Sequence, residues 1–366
     1  MIIGGDGAFC FWDKNEPQYF GGSYYYNRYT FFNNGSAMGS NFNSSGIFVN
    51  PADLDYNLNL VYANATDFTG TSRPNYLLKL SNIYSNYPSE SYINLNTGLS
   101  VYYSAVTYSP YSPLNKSTLF AGSVSGHLYK VREAQSMSPQ INEITGSNFP
   151  NGNISCIALG ASEDTIMAIF SNYGVSSIWL SNDGGLTWAD KEGNLPDMPV
   201  RWGMFYPGNS NYALIATETG VWVSNNMNQS AVTWTPQNTG MANVRTDMLK
   251  FRTSDHRVLA ATHGRGLFTT TWDIPVGTEE IKSRDLAIYP NPSQGAFYLK
   301  AKVPAPDDVK ISITNSAGQT VETKLVNTSS GTIIQSFDLS LKPKGIYILT
   351  LISGTKNLGE RKIVIY

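Results

Sequence analysis

Three stretches of this chain repeat one phrase at a fixed interval, and no other feature of the sequence restricts its fold as tightly. They run Leu159-Gly160 to Ile166-Met167-Ala168-Ile169 to Ser177-Ile178-Trp179-Leu180, then Phe205-Tyr206 to Ala213-Leu214-Ile215-Ala216 to Gly220-Val221-Trp222-Val223, then Phe251-Arg252 to Val258-Leu259-Ala260-Ala261 to Gly266-Leu267-Phe268. Leu159, Phe205 and Phe251 are spaced 46 residues apart. Each copy reads as a strand, a turn, a second strand ending in small residues, a Gly-containing hairpin and a third strand. Looser copies start near Phe11, Phe48 and Tyr108, with second strands at Tyr19-Phe20-Gly21-Gly22, Leu60-Val61-Tyr62-Ala63 and Leu119-Phe120-Ala121-Gly122.

A unit of this length with three or four short strands is a sheet that cannot bury both faces alone. Radial stacking of such sheets hides the faces, so the period predicts an all-β fold: a β-propeller of about six recognisable blades, complete or incomplete, over residues 1–275. The last blade reads as lacking its fourth strand, because Thr270-Thr271-Trp272 runs straight into Asp273-Ile274-Pro275-Val276-Gly277. Met1 to Gly4 is the local candidate to supply it; otherwise the donor lies upstream and an edge is left open.

Within the repeats, Ser181-Asn182-Asp183-Gly184-Gly185-Leu186-Thr187-Trp188 resembles the Asp-box, Ser-x-Asp-x-Gly-x-Thr-Trp, of sialidase-like and sortilin-like propellers. Ser224-Asn225-Asn226 with Thr233-Trp234, and Phe32-Asn33-Asn34-Gly35, look like decayed copies. Physically the box is a hairpin device. Asp183 accepts backbone N–H groups in the turn, Gly184 and Gly185 supply permissive dihedrals, and Trp188 packs between blades. Ser181, Asp183, Gly185, Thr187 and Trp188 are therefore read as structural. The resemblance implies that they lie on the rim opposite the ligand face.

Residues 285–366 follow a different rule. Pro290 and Pro292 fix φ and remove two donors, and Asn291 and Gly295 suit turns, so the segment leaves one strand and enters another through a tight corner. Phe297 and Leu299, then Val309, Ile311 and Ile313, then Ile346 and Ile348, and finally Ile363 and Ile365 recur at every second position. About seven short strands with one buried face result, as in a small immunoglobulin-like antiparallel β-sandwich. The run Tyr289-Pro290-Asn291-Pro292-Ser293-Gln294-Gly295, then Lys344-Gly345-Ile346-Tyr347, and the terminal Arg361-Lys362-Ile363-Val364-Ile365-Tyr366 resemble the C-terminal sorting domain of type IX secretion cargo of the Bacteroidota. That resemblance implies that Tyr289, Pro290, Asn291, Pro292, Gly295, Gly345, Tyr347 and Lys362 form the sorting signal. Its implied partners are the outer-membrane translocon and the sorting peptidase, with cleavage in the linker 276–284. It also implies passage through the periplasm to the outer surface or the medium. Such cargo starts with a signal peptide; Met1-Ile2-Ile3-Gly4-Gly5-Asp6 has no basic region, apolar core or cleavage site, so the sequence is expected to begin inside a longer protein.

Composition narrows the function classes. Residues before Gly277 carry 14 basic and 19 acidic side chains, net −5; the remainder carry 11 and 8, net +3, giving the whole-chain −2. Neither part is basic enough for electrostatic nucleic-acid binding. No run approaches a transmembrane helix. Cys10 and Cys156 are too few for a disulfide framework and lie in apolar runs, so buried free thiols are expected. His127, His256 and His263 lack metal-ligand spacing, and no phosphate loop or nucleophile elbow occurs, so neither metal nor cofactor is expected.

Because strands alternate direction within a blade, the hairpins joining second to third strands share one rim with the loops entering each first strand. That rim carries Asp6, Tyr24-Tyr25-Tyr26, Asn64 to Asn75, Ser123 to His127, Asn172-Tyr173, Glu218 and His263-Gly264-Arg265. Tyr25, Asn172, His263 and Arg265 are the ligand-rim candidates, since aromatic faces and amides suit sugars. The reading is a secreted or cell-surface propeller that binds an extracellular glycan or protein as a scaffold. The alternative is a xyloglucanase-like or sialidase-like glycoside hydrolase, for which Asp6 and Glu218 are the candidate carboxylates. A sialidase would need three convergent arginines and a tyrosine nucleophile, and no motif identifies them. A protease or adhesin whose working domain lies upstream is a third possibility.

Overall fold

The computed structural model describes residues 7–98, 100–274, 286–303, 307–328, 331–353 and 356–366. Asp6, the Met1–Gly4 closing-strand candidate and the linker 276–284 lie outside the described residues. The chain divides into two compact units, Met1–Asp273 and Ile274–Tyr366.

Among the described residues the first unit contains six antiparallel sheets in chain order. The first is β1 (Cys10–Trp12), β2 (Tyr19–Ser23), β3 (Asn27–Asn33) and β4 (Ser36–Asn43); the second β5 (Ala52–Asp55), β6 (Leu60–Asn64), β7 (Tyr76–Ser81) and β8 (Ser89–Asn94). The third is β9 (Tyr103–Tyr108), β10 (Leu119–Ser123), β11 (Leu128–Arg132) and β12 (Gln140–Glu143); the fourth β13 (Ile154–Leu159), β14 (Ile166–Phe170), β15 (Ile178–Ser181) and β16 (Ala189–Asp190). The fifth is β17 (Val200–Tyr206), β18 (Asn209–Thr217), β19 (Gly220–Ser224) and β20 (Thr235–Pro236); the sixth has three strands, β21 (Thr246–Arg252), β22 (Arg257–Thr262) and β23 (Gly266–Thr271). Every neighbour in each sheet is the next strand in sequence, so each sheet is a meander of consecutive strands.

The second strands explain how the sheets stack. All five residues of β6, β10 and β14 are buried, so they read as continuous apolar runs and not as alternating ones. The period of two survives as a division between neighbours. In β14, Ile166 and Ala168 join a cluster with Phe120 and Leu128 of the third sheet, whereas Met167 and Ile169 join one with Phe205 and Ile215 of the fifth. In β18, Ala213 and Ile215 face the fourth sheet, and Leu214 and Ala216 face Leu249, Val258 and Ala260 of the sixth. Five clusters thus join the six sheets in series. Close approach needs a missing side chain at Gly203, where a methyl group would lie 2.1 Å from Ile169 Cδ1.

First strands of consecutive sheets also touch: β1 with β5, β5 with β9, β9 with β13, β13 with β17 and β17 with β21. Side chains pin several of these contacts. Ser104 Oγ donates to Ile154 O at 2.8 Å, and Ser155 Oγ, one sheet later, donates to Val200 O at 2.8 Å. Between the first two sheets lies a buried amide network. Asn50 Nδ2 donates to Asn27 Oδ1 at 2.7 Å and to Asn64 O at 2.8 Å, Asn27 Nδ2 also donates to Asn64 O, and Asn64 Nδ2 donates to Asn50 Oδ1 at 3.0 Å. Buried amides satisfied in this way fix one arrangement of the elements they join.

Three sequence expectations for the first unit need correction. Phe48 is in no strand; it is half exposed in the loop before β5, with its ring stacked on Tyr25 at 5.8 Å. Gly46 at φ +88° and Asn50, which accepts from Ile47 N, shape a turn there. Cys10 is free but exposed, on the same face of β1 as Trp12, which is 62% exposed; Cys156 is free and buried, its thiol pushed up to about 12 by burial. Phe32 to Gly35 forms a two-residue β3–β4 turn with Asn34 and Gly35 both at positive φ, far shorter than the Ser181–Trp188 hairpin.

The second unit has seven described strands: β24 (Leu286–Tyr289), β25 (Ala296–Lys302), β26 (Asp307–Asn315), β27 (Thr320–Thr328), β28 (Thr332–Asp338), β29 (Gly345–Ser353) and β30 (Lys356–Ile365). They form two sheets, β24-β25-β28 and β27-β26-β29-β30, with one apolar cluster made from both. Phe297, Leu299, Val309, Ile311, Ile313, Ile363 and Ile365 point inward as their alternation predicts. Ile346 and Ile348 do not. Tyr347, Leu349 and Leu351 are the buried set of β29, and Ile346 is 46% exposed. Both phases of that strand are apolar, and Tyr347, whose hydroxyl donates to Pro343 O at 2.5 Å, belongs to the phase that faces in.

Candidate functional site

The Ser181–Trp188 hairpin is a closed hydrogen-bond device. Asp183 Oδ1 accepts from Ser181 Oγ and from Thr187 N, each at 2.8 Å, and Oδ2 accepts from the Thr187 hydroxyl. These bonds, the Thr187 hydroxyl first, hold the carboxyl down at about 2. Gly185 sits at φ +93°, where a side chain would press on Ile144, and Trp188 Nε1 donates to Ile144 O at 2.9 Å, tying the fourth sheet to the third. The Ser224–Trp234 segment repeats the scheme with an amide. Asn226 Oδ1 accepts from Ser224 Oγ and Thr233 N, and Trp234 Nε1 donates to Lys191 O, tying the fifth sheet to the fourth. Asp183 is spent on its own turn.

On the other side of the sheets, loop residues assemble differently. Tyr25 stacks on Phe48 and lies under the Arg28 guanidinium, 4.7 Å from the ring centroid. Asn172 Oδ1 accepts from Asn153 N at 2.6 Å, a loop-closing bond. Glu218 is paired with Arg201, whose Nε donates to Oε1 at 2.7 Å. Arg201 Nε also lies 3.8 Å from Asp247, which accepts from Arg245 Nε at 2.7 Å, and His263 Nδ1 stands 3.7 Å from the other Asp247 oxygen. Glu218, Arg201, Arg245, Asp247 and His263 therefore form one network between the fifth and sixth sheets. Arg265 is exposed, with no ion pair among the described residues.

A cleft of about 480 Å³ opens beside Glu218, lined by Tyr173, Asp197, Met198, Thr219, Trp222, Asn238 and Asn243 among others. Tyr173 comes from the β14–β15 hairpin, Asp197 from the loop into β17, Trp222 from β19, and the asparagines from the loop into β21. Asp197 Oδ1 accepts from Gly174 N at 2.7 Å. Behind it Glu192 accepts from Ser177 N, and burial, with Asp190 and Asp197 adding repulsion, pushes its carboxyl up to about 7. Sequence reasoning placed Asn172 and Glu218 on this rim but missed Asp197 and Trp222. Only their loop position, shared with the named residues, could have signalled them. Among the described residues no cluster of His, Cys, Asp and Glu suits a metal ion, and no helix is long and apolar enough to cross a membrane.

In the second unit the corner after β24 covers the outer edge of β30. Asn291 Nδ2 donates to Lys362 O at 2.7 Å and its Oδ1 accepts from Val364 N at 2.9 Å, imitating a paired strand residue. Ser293 N donates to Val364 O and Tyr366 N to Ser293 O, continuing the pairing to the chain end. The Tyr289–Pro290 and Asn291–Pro292 peptides are both cis. Gly295, at φ +125°, lets the backbone pass Ser340, whose Cα would lie 2.4 Å from a side-chain methyl. A cavity of about 500 Å³ lies here between Pro290, Pro292, Gln294, Asp338, Ser340 and Tyr366. Tyr289 and Lys362 are exposed, and Gly345, at φ +150°, opens β29.

Residues 287–366 match the family model of the secretion system C-terminal sorting domain. Among curated proteins none matches the chain. Among solved structures, the chain resembles PorZ, described as an essential bacterial surface component of the type IX secretion system of Porphyromonas gingivalis, with 12% identity and a TM-score of 0.51. The likeness covers 100% of this chain and 53% of the PorZ chain, so this chain spans about half that protein's length. At this identity the shared property is the all-β fold. The chain therefore carries a C-terminal sorting domain, the mark of a protein exported by the type IX secretion system to the cell surface or the medium.

Proposed function

We propose that this protein is a secreted or cell-surface binding scaffold, in which six sheets act as blades of a propeller and residues 285–366 as a removable export signal. The sorting domain is the observation that carries the export half of this reading. Its implied partners are the outer-membrane translocon and the sorting peptidase, with removal in the linker 276–284. The propeller half is supported by the series of touching first strands and by the two Trp-bearing hairpins that link consecutive sheets. Both structural devices resemble those of Asp-box propellers.

A scaffold is favoured over a glycoside hydrolase by the state of the rim carboxylates. Hydrolysis of a glycosidic bond needs one carboxyl free to donate a proton and a second free to attack or to activate water. Asp197 and Glu218 do share a cleft with Tyr173 and Trp222, which is the observation that keeps the enzyme reading open. Glu218, however, is bound to Arg201, and Asp197 holds Gly174 N. A glycan or protein ligand seated against the rim needs neither to be free.

The test is export and binding measured separately. In a type IX-competent host, with a signal peptide fused ahead of each, the protein lacking residues 287–366 should remain inside the outer membrane while the intact protein reaches the surface or medium. Equal export of both would overturn the export reading. Turnover of chromogenic glycosides by the purified protein, abolished by Glu218→Gln, would replace the scaffold with the enzyme.

A further inference from the structure

The cleft between the fourth and fifth sheets is unusual in which of its polar groups are already committed. Trp222 Nε1 donates to Thr219 Oγ1, and both amide hydrogens of Asn238 are used, on Thr219 O at 2.9 Å and Asn243 Oδ1 at 3.1 Å. These three lining donors are thus spent inside the protein. Among the described residues, Asp197 Oδ2 and Glu218 Oε2 have no hydrogen-bond partner, so the cleft presents acceptors. Its charge points the same way. Arg201 is engaged by Glu218 Oε1, and Lys191 Nζ donates to Gln229 O at 2.6 Å, away from the lining residues. Asp190, at the end of β16, accepts from the Ser176 hydroxyl, and Glu192, on the loop that carries Asp197, accepts from Ser177 N.

The aromatic lining supplies the second half. Tyr173 is 66% exposed on its hairpin, and Trp222 lines the same cavity. Aromatic faces beside carboxylates attract ammonium and guanidinium groups, the first through the ring quadrupole and the second through charge-assisted hydrogen bonds. A neutral sugar would have to find donors here as well as acceptors, and those of Trp222 and Asn238 are occupied.

We propose that this cleft binds the basic side chain, lysine or arginine, of an extracellular protein or peptide, with Asp197 as its counter-ion and Tyr173 and Trp222 as the walls. The proposal rests on the reading of the first unit as a binding scaffold. It names the ligand class of that scaffold's rim. Asp197 and Tyr173 come from loops of the fourth sheet and Trp222 from the fifth, so the ligand would bridge two neighbouring repeats.

The test is calorimetric titration of the full chain with acetyl-Gly-Arg-Gly-amide, acetyl-Gly-Lys-Gly-amide, the citrulline counterpart of the first, maltose and spermidine. The basic peptides should bind at least tenfold more tightly than the citrulline peptide and should weaken as salt rises. Asp197→Asn keeps the acceptor for Gly174 N and removes only the charge; it should weaken basic peptides about tenfold with an unchanged melting curve. Tyr173→Ala, on an exposed ring, should do the same. Equal binding of the citrulline peptide, no heat from either basic peptide at 10 mM, or indifference to Asp197→Asn would each overturn the proposal. Tighter binding of spermidine than of the peptides would overturn the protein source of the cation. Maltose binding that survives Asp197→Asn would overturn the ligand class yet leave the scaffold intact, whereas failed export of the intact chain bears on the export reading alone.

Discussion

Asp183→Ala is the substitution whose outcome can be worked out most fully. The carboxylate receives Ser181 Oγ, Thr187 N and the Thr187 hydroxyl, and these hold it at about 2 against 3.8 when free. A folded value below the unfolded one means stability that is fully present above pH 3.8 and lost as pH falls through about 2. At 1.36 kcal/mol per unit the ceiling is roughly 2.4 kcal/mol. The side chain is at the surface, where solvent screening reduces such a figure to about 1 kcal/mol. Asp183→Ala should therefore cost ~1–2 kcal/mol at pH 7, once the lost turn bonds are included. Asp183→Asn should cost less, because Asn226 shows that an amide oxygen can fill the same place. The assay is urea unfolding followed by tryptophan fluorescence. All seven tryptophans precede residue 275, so the signal reports the first unit alone. If Asp183→Ala unfolds within about 0.5 kcal/mol of the parent, the ordinary scatter of surface substitutions, the hairpin is not the fastening described.

Three other outcomes follow from the same geometry. Glu192, pushed up to about 7 by burial and its acidic neighbours, contributes stability that is complete below pH 4.5 and lost as pH rises through 7; after discount for its partial exposure, Glu192→Gln should remove a slope of ~1–2 kcal/mol between those limits, measured by denaturant midpoints across pH. Asn50→Ala breaks a buried amide network that joins Asn27 and Asn64 and should cost ~2–4 kcal/mol, read in the same unfolding assay; a loss below 0.5 would show the network to be dispensable. Asn291→Ala removes both bonds to β30 and should speed proteolysis of the second unit while leaving tryptophan unfolding unchanged; an unaltered proteolysis rate would show that the corner does not protect that edge.

Much of the fold was legible because two-sided burial leaves an unmistakable trace. Leu60-Val61-Tyr62-Ala63, Leu119-Phe120-Ala121-Gly122 and Ile166-Met167-Ala168-Ile169 are each the second strand of a sheet, and each divides its residues between two neighbours. The same logic failed at Phe48, where an apolar pair sits on a loop and the ring finds its burial against Tyr25 instead of a sheet. It failed again at Ile346, because apolar residues in both phases of β29 leave the alternation undecided. The rim was less legible for a different reason. Arg201, Glu218, Arg245, Asp247 and His263 come from the fifth and sixth sheets, and Tyr173, Asp197 and Trp222 from the fourth and fifth, so only the stacking of repeats brings them together. Glu218 stands in the sequence as a candidate carboxylate; its pairing with Arg201, 17 positions away, leaves no trace there.

The claim on which the account depends is that the final eighty residues form their own β unit and carry the address. Its most direct test fuses residues 286–366 to a signal-peptide-bearing fluorescent reporter in a type IX-competent bacterium and locates the reporter by fractionation. The account predicts reporter in the medium or on the outer surface, and its retention in the periplasm when the fused segment ends at residue 344, which removes β29 and β30. A reporter held in the periplasm with the complete segment, or exported equally well without it, would contradict the claim.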